Sequence, residues 1–406
     1  MKFKDINLRT EIQFALDEMG YEELSPVQEK TFLAIIEHRD IVVMAETGSG
    51  KTGACGIPLI QLVDETVNEI QVLVLVPTRE LALQFVAELM SIAQYTNIAP
   101  VAVYGGVSMD MQRRKLKQGK HLLVATPGRL IDLLHTGDID FRNLRTFVLD
   151  EADEMLNMGF IEDVEFIMSC ILIEHQTLLF SATMPREVDH IIRKYLHDPI
   201  RIELNKEQIA PSSLVHQFMY IRSPGARESI LKDFLRDRSR YRQVLIFFNS
   251  RYKGEQFYKS IRRSIPKSEY LHGGMEQETR TYIFNDFKSG ELPILMATDV
   301  AGRGLDFSNV SHVINFDFPK TEIVYTHRTG RAGRMGRQGT AISFVTGYDL
   351  QTCRAVIEQN GITPQWLGKA PPLSEIRPPH QKRHHTGVGH SGSGRHFVRH
   401  GTRRAG

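Results

Sequence analysis

The chain has 406 residues, 41% apolar and 24% charged, which fits two or three ordinary soluble domains with sizeable cores. The N-terminal MKFKDINLRTEIQ carries acids early and has no unbroken apolar stretch, so it presents neither a secretory signal nor a membrane anchor, and cytosol is the expected compartment; Cys55, Cys170 and Cys353 are too scattered for a disulfide framework or a metal site and read as inert thiols. The net charge of +2 is uneven: from Pro371 onward six Arg and one Lys face only Glu375, giving +6, so the preceding body carries −4.

In chain order, the first apolar run is IVVMAE (41–46), which leads into TGSGKT. Thr47, Gly48, Ser49 and Gly50 can wrap phosphates with backbone N–H groups, because glycine permits the necessary dihedrals and the following helix N-terminus adds a favourable field. Lys51 is placed to reach the β and γ phosphates and the Thr52 hydroxyl to bind Mg²⁺. Ala45 stands at the first loop position in place of glycine. The runs VLVLVP (72–77), VAVYG (101–105), HLLVAT (121–126), FVLD (147–150) and TLLFSAT (177–183) follow, separated by amphipathic stretches such as ELALQFVAELMSIAQY. That spacing predicts a parallel sheet covered by crossover helices.

Within this series FVLDEAD ends an apolar strand in acids. Asp150 is suited to holding the metal through water and Glu151 to orienting or deprotonating the attacking water, so the glycine loop and the acids together read as an ATPase centre. Taken alone, DEAD also suits a charged helix cap.

Alternation breaks at KEQIAPSSLV (206–215), the expected linker, and then resumes. HQFMYI (216–221), VLIFFN (244–249), PILMAT (293–298), HVINFD (312–317) and TAISFVT (340–346) predict a second α/β lobe. It has no glycine-loop lysine but carries YTHRTGRAGR (325–334). Arginines on a tight backbone suit a phosphate whose charge changes during transfer, because the guanidinium fork is rigid and always protonated. Either Arg331 and Arg334 reach across a cleft to nucleotide on the first lobe, or the turn is a basic nucleic-acid-binding element. The tail 371–406, rich in Gly, Pro and His, lacks the apolar residues to offset the entropy of ordering and is expected to be disordered and to seek polyanions, or simply to solubilise.

In this order, over residues 3–346, the motifs resemble the DEAD-box family of ATP-dependent RNA helicases, of bacterial type. The resemblance implies an α/β chain of two tandem RecA-like parallel-sheet lobes, 1–205 and 216–370, joined by 206–215 and followed by a disordered basic tail, 371–406. It implies that the lobes close on ATP, Mg²⁺ and single-stranded RNA and separate short duplexes. Gln28 then reads adenine, Tyr21 stacks on the base, Phe3 is the isolated upstream aromatic, and Asp306 contacts the ribose. Ser181 and Thr183 of SAT couple the acidic box to closure, and Arg331 with Arg334 resemble arginine fingers.

On the RNA side, the resemblance implicates Arg79 of PTREL, Gly105, Gly106, and Thr126, Gly128 and Arg129 of TPGR in the first lobe. In the second it implicates FFNS, Gln277 with Arg280, and Asp299, Arg303 and Gly304 of ATDVAGRGLD; His327 and Arg328 are expected in an interlobe network. Glu46, Thr329 and Ala332 depart from the residues common in the family, and none removes a charged catalytic group. The family also suggests action on ribosomal precursor or mRNA-decay complexes; a monomer is expected because one chain supplies both lobes of one ATP site, and no membrane partner is expected. Backbone-directed contacts would make the grip sequence-tolerant, with RNA told from DNA at the 2′-OH; a DNA-directed motor and an ATP-gated RNA clamp share most of the same signals.

Overall fold

Strands buried on both faces must be apolar throughout, and crossover helices then cover each face. The computed structural model describes residues 1–45, 50–204, 214–237, 241–299, 309–333 and 338–371, and the chain from Met1 to Ala370 forms one compact unit. In the first lobe lie β1 (Ile41–Met44), β2 (Val72–Leu75), β3 (Pro100–Val103), β4 (Leu122–Ala125), β5 (Thr146–Leu149), β6 (Gln176–Ser181) and β7 (Ile200–Glu203). They form one parallel sheet in the order β3-β4-β2-β5-β6-β1-β7.

The second lobe repeats the plan with β8 (Leu214–Tyr220), β9 (Val244–Phe248), β10 (Ser268–Leu271), β11 (Ile294–Thr298), β12 (His312–Asn315), β13 (Gly339–Val345) and β14 (Gln365–Trp366). Their order, β10-β11-β9-β12-β13-β8-β14, is again wholly parallel.

Successive side chains feed opposite faces of each sheet. Val72 and Val74 enter one core of the first lobe while Leu73 and Leu75 enter the other. Val244, Ile246 and Phe248 likewise part from Leu245 and Phe247 in the second lobe. Each such fully buried side chain contributes roughly 1.5–3 kcal/mol of transfer free energy, which is why these short strands hold without long ladders.

Three strands lie outside the sequence expectation: β7, β10 and β14. All are sheet edges. An edge strand is covered less completely, so IRIE and SEYL mix polar with apolar residues and lose the continuous hydrophobic signal. The linker expectation needs one correction, because Leu214 and Val215 are the first residues of β8, paired with Gly339 and Thr340 of β13. Residues 205–213 and 372–406, the remainder of the linker and nearly all of the tail, lie outside the described residues. No helix among the described residues is long and apolar enough to cross a membrane.

What positions chemistry is strand direction. In a parallel sheet all C-terminal ends share one edge, where ligands gather in open α/β folds. The glycine loop follows β1, PTREL follows β2, TPGR follows β4, DEAD follows β5 and SAT closes β6.

Candidate functional site

Gly50 sits at the N-cap of the helix Lys51–Leu62 with φ +88°, a left-handed conformation that costs glycine nothing. A Cβ at Gly53 would lie 2.8 Å from Gln28 Nε2 and 3.7 Å from Tyr21, so bare backbone brings this helix against the Gln28 corner. Ser25 and Gln28 form a reciprocal capping box on the helix Pro26–Ile36: Ser25 N–H donates to Gln28 Oε1 at 2.8 Å and Gln28 N–H to Ser25 Oγ. Gln28 therefore caps its own helix through Oε1, which fixes where its Nε2 stands.

Gly20, Tyr21, Leu24, Ser25 and Gln28 line an open concavity there. The Tyr21 ring is backed edge-on by buried Phe3, with centroids 5.7 Å apart. Its hydroxyl donates to Glu88, and burial followed by the Glu88 charge pushes the phenol up to about 12. Phe3 thus props Tyr21 from inside the fold and is 2% exposed.

Lys51 is buried and its Nζ donates to the Ala45 carbonyl at 3.1 Å, while Thr52 beside it is half-buried. Asp150, at the end of β5, is buried; burial lifts its carboxyl to about 6 despite the lowering effect of Lys51. The next residue, Glu151, adopts φ 50° and ψ 48° at the N-cap of the helix Ala152–Asn157. A non-glycine residue held there costs on the order of 1–3 kcal/mol, a strain that clusters at functional sites. Glu46, Thr47, Gly48 and Ser49 lie outside the described residues.

The acidic box is tied directly to SAT. Thr183 donates to Asp153 Oδ2 from its N–H at 2.9 Å and from its hydroxyl at 2.6 Å. Ser181 Oγ accepts from Asp153 N–H and donates to the Thr183 carbonyl at 2.6 Å. Burial alone would raise Asp153, but hydrogen bonding and charge from His327, then the Thr183 hydroxyl, hold it well below the usual carboxylate range.

His327, from the helix Glu322–Thr329 of the second lobe, is clasped by two first-lobe carboxylates. Nδ1 lies 2.8 Å from Glu154 Oε2 and Nε2 lies 3.4 Å from Asp153 Oδ2. Burial would lower this imidazole, yet its hydrogen bonds to Asp153 and Glu154, with their charges, raise it to about 9. A second ion pair, Arg280 to Glu80 at 2.6 Å and largely buried, also joins the lobes. Arg331 is buried, with Nε donating to the His327 carbonyl, and shares an interlobe cavity with Glu154, Asp299 and Arg328.

Arg328 differs from expectation. Its guanidinium holds Asp299 with two bonds and also donates to Asn315, the Asp317 carbonyl and Asn249, every one of them in the second lobe. It knits that lobe together, while among the described residues the hydrogen bond from this pair to the first lobe comes from His327. Arg129 likewise donates to Gln112 at 2.7 Å and to the Val107 carbonyl, and Gln112 in turn donates to the Tyr104 carbonyl. It therefore fastens the Tyr104–Val107 turn and leaves Gly105, Gly106 and Gly128 exposed, with Thr126 half-buried. Arg79 lies 4.4 Å over the Tyr104 ring and within 3.4 Å of the Gly105 carbonyl. A Cβ at Gly106, which has φ +83°, would press on that guanidinium.

Gln277 begins the helix Gln277–Ser289. Arg303, Gly304, Asp306 and Arg334 lie outside the described residues. Sequence reasoning missed Glu80, Glu88 and Glu154, each an ordinary surface acid by composition. Glu80 and Glu154 had local signals, as a member of PTREL and as the residue immediately after DEAD, whereas Glu88 had none.

Residues 25–191 match the family described as DEAD/DEAH box helicase, and residues 226–336 match the helicase conserved C-terminal domain. The ATP-dependent RNA helicase DbpA of Bacillus subtilis is 39% identical over 92% of this chain and 78% of its own length. The DEAD-box ATP-dependent RNA helicase CshA of Geobacillus kaustophilus is 38% identical over 85% of this chain and 73% of its own. Among solved structures, DEAD-box helicase Mss116 bound to single-stranded RNA and UDP-BeF superposes with TM-score 0.81 at 27% identity, over 92% of this chain and 80% of that one. A DEAD box protein from Methanococcus jannaschii, at 34% identity over 90% and 99%, superposes with TM-score 0.53.

Proposed function

The chain belongs to the DEAD-box family of ATP-dependent RNA helicases, and from that membership we propose a residue-level account of how it hydrolyses ATP on RNA and parts short duplexes or remodels RNA–protein complexes. ATP binds the first lobe with its base at Tyr21 and Gln28 and its phosphates along Gly50, Lys51 and the loop before them. Water attacks the γ-phosphorus, its proton passing to the Glu151 carboxylate as the bond to the β-phosphate oxygen breaks and ADP leaves. Arg331 and Arg334 neutralise the charge on the transferring group, so the second lobe completes the site.

Mg²⁺ fits the residues present. Asp150 is a buried carboxylate that a neighbouring cation would keep ionised, with the half-buried Thr52 hydroxyl as a second oxygen donor. Among the described residues no three His, Cys, Asp or Glu side chains gather to hold a metal, so the remaining ligands would be phosphate oxygens and water. Bound there, the ion would polarise the phosphoryl oxygens.

The observation that carries the reading is the interlobe clasp: the acidic box is hydrogen-bonded to SAT on one side and to His327 of the other lobe on the other. Superposition supports it. The chain superposes on RNA-bound Mss116 over 92% of its length with TM-score 0.81, as expected for lobes set in an RNA-bound arrangement. RNA would run over Arg79, Gly105, Gly106, Thr126 and Gly128, with Gln277, Arg280, Asp299, Arg303 and Gly304 opposite. Those contacts favour backbone over base, so grip is sequence-tolerant. By family resemblance alone, the setting is a cytoplasmic monomer in ribosome assembly or mRNA decay. Strand release from a short RNA duplex tests the proposal: release that requires hydrolysable ATP supports it, and RNA-stimulated hydrolysis without any strand release would replace the helicase with a clamp.

A further inference from the structure

We propose that Glu154, which lies outside the four-residue acidic box, is a positioning residue that holds His327 as an imidazolium, so that closure of the two lobes takes up a proton. The inference rests on the closure reading above. A neutral imidazole has one N–H and cannot donate from both ring nitrogens, whereas both nitrogens of His327 face carboxylates, Glu154 at 2.8 Å and Asp153 at 3.4 Å. Asp153 is already engaged by Thr183 and SAT. Glu154 supplies the shorter of the two contacts and adds a second negative charge in a place where His327 is 12% exposed.

Other charged groups lie around this contact among the described residues. Lys51 acts on Asp153 from the first lobe, and from the second come Arg331, which binds the His327 carbonyl, and Arg328, which is paired with Asp299. The arginines keep their charge at every pH of interest, and Asp150 titrates lower, near 6.

With the lobes apart, His327 leaves both acids and returns toward its ordinary value of 6.5; clasped, it stands near 9. A base raised by its partner stabilises the clasped state fully below the lower value and loses that stabilisation as pH rises through the upper one. Between pH 6.5 and 9 closure therefore binds a proton, and the closed state weakens with rising pH.

The test is RNA affinity of the full chain for a short single-stranded oligonucleotide, with Mg²⁺, ADP and beryllium fluoride, from pH 6.5 to 9.5. The parent is expected to lose affinity by up to about tenfold per pH unit between 6.5 and 9. In Glu154→Gln the decline should end at least about one pH unit earlier, since removing one opposite charge within contact distance lowers such a value by roughly 1–3 units. Glu154→Asp should retain the parent's profile in larger part. Coincident profiles for the parent and Glu154→Gln overturn the proposal, as does a flat parent profile.

If Glu154→Gln does not fold, proton uptake by the parent decides instead. Calorimetric titration with RNA at pH 8 in buffers of different ionisation enthalpy should give uptake approaching one proton per closure, and none would overturn the proposal. Comparison with and without nucleotide at pH 6.5 separates the two levels. No nucleotide-dependent tightening removes the closure reading and this inference with it, whereas tightening that ignores pH removes this inference alone.

Discussion

Asp150 and Asp153 are three residues apart in one acidic box, and their surroundings push them in opposite directions. Burial raises the first to about 6; the second, clasped by His327 and Thr183, is held low. Environment therefore separates a carboxyl suited to a cation from one suited to a fixed hydrogen-bond bridge. Glu151 between them is the expected base. Glu151→Gln should keep nucleotide binding and cut ATP turnover by roughly 10²–10⁴-fold, measured as steady-state phosphate release, because the amide cannot take the proton of the attacking water. Turnover near the parent rate would remove that role. Motifs such as GKT and DEAD are visible in the sequence because their residues are contiguous. The sequence was less legible for arginines: Arg129 and Arg328 sit in motifs that suggest phosphate contact, yet their hydrogen bonds go to Gln112, Asn249, Asn315 and Asp299, partners 13 to 79 positions away and brought together only by the fold.

Among elements, the helices Pro26–Ile36 and Lys51–Leu62 meet closely at the proposed nucleotide site. Gly53 allows it, and the Ser25–Gln28 capping box sets it. Gly53→Ala would drive a Cβ against Gln28 Nε2, an amide that cannot simply swing aside because its Oε1 is held by Ser25 N–H. The expected result is a rise in KM for ATP of about tenfold, near 1.4 kcal/mol, with kcat little changed. An unchanged KM would mean that the amide moves freely and the capping box does not set its position. Neither the capping box of Ser25 and Gln28 nor its link to a glycine 25 positions later was read from the sequence. The central strands were legible because burial on both faces demands unbroken Val, Leu and Ile; the edges β7, β10 and β14 were not, since an edge relaxes that demand.

Over the whole molecule, two sheets of one plan and one acidic body with a basic tail were readable from alternation and charge. Which residues tie lobe to lobe was legible only for His327, expected in an interlobe network; its partner Glu154, 173 positions away, and the pair of Glu80 with Arg280, 200 positions apart, were not. A charge of +6 would suit the tail to non-specific RNA affinity. Deleting 371–406 should raise the RNA concentration for half-maximal ATPase stimulation, most visibly at low salt, and flatten the salt dependence by about 0.7 in slope for each phosphate that the tail neutralises. Identical salt dependence would leave the tail a solubilising one.

RNA is expected to close the two lobes and so complete the ATP site. Steady-state ATP hydrolysis with single-stranded RNA, with matched DNA and with neither tests it most directly. Strong stimulation by RNA and little by DNA is the expected result. Equal stimulation by DNA would make the protein a general nucleic-acid motor, and hydrolysis indifferent to both would contradict an ATP site that depends on RNA-driven closure.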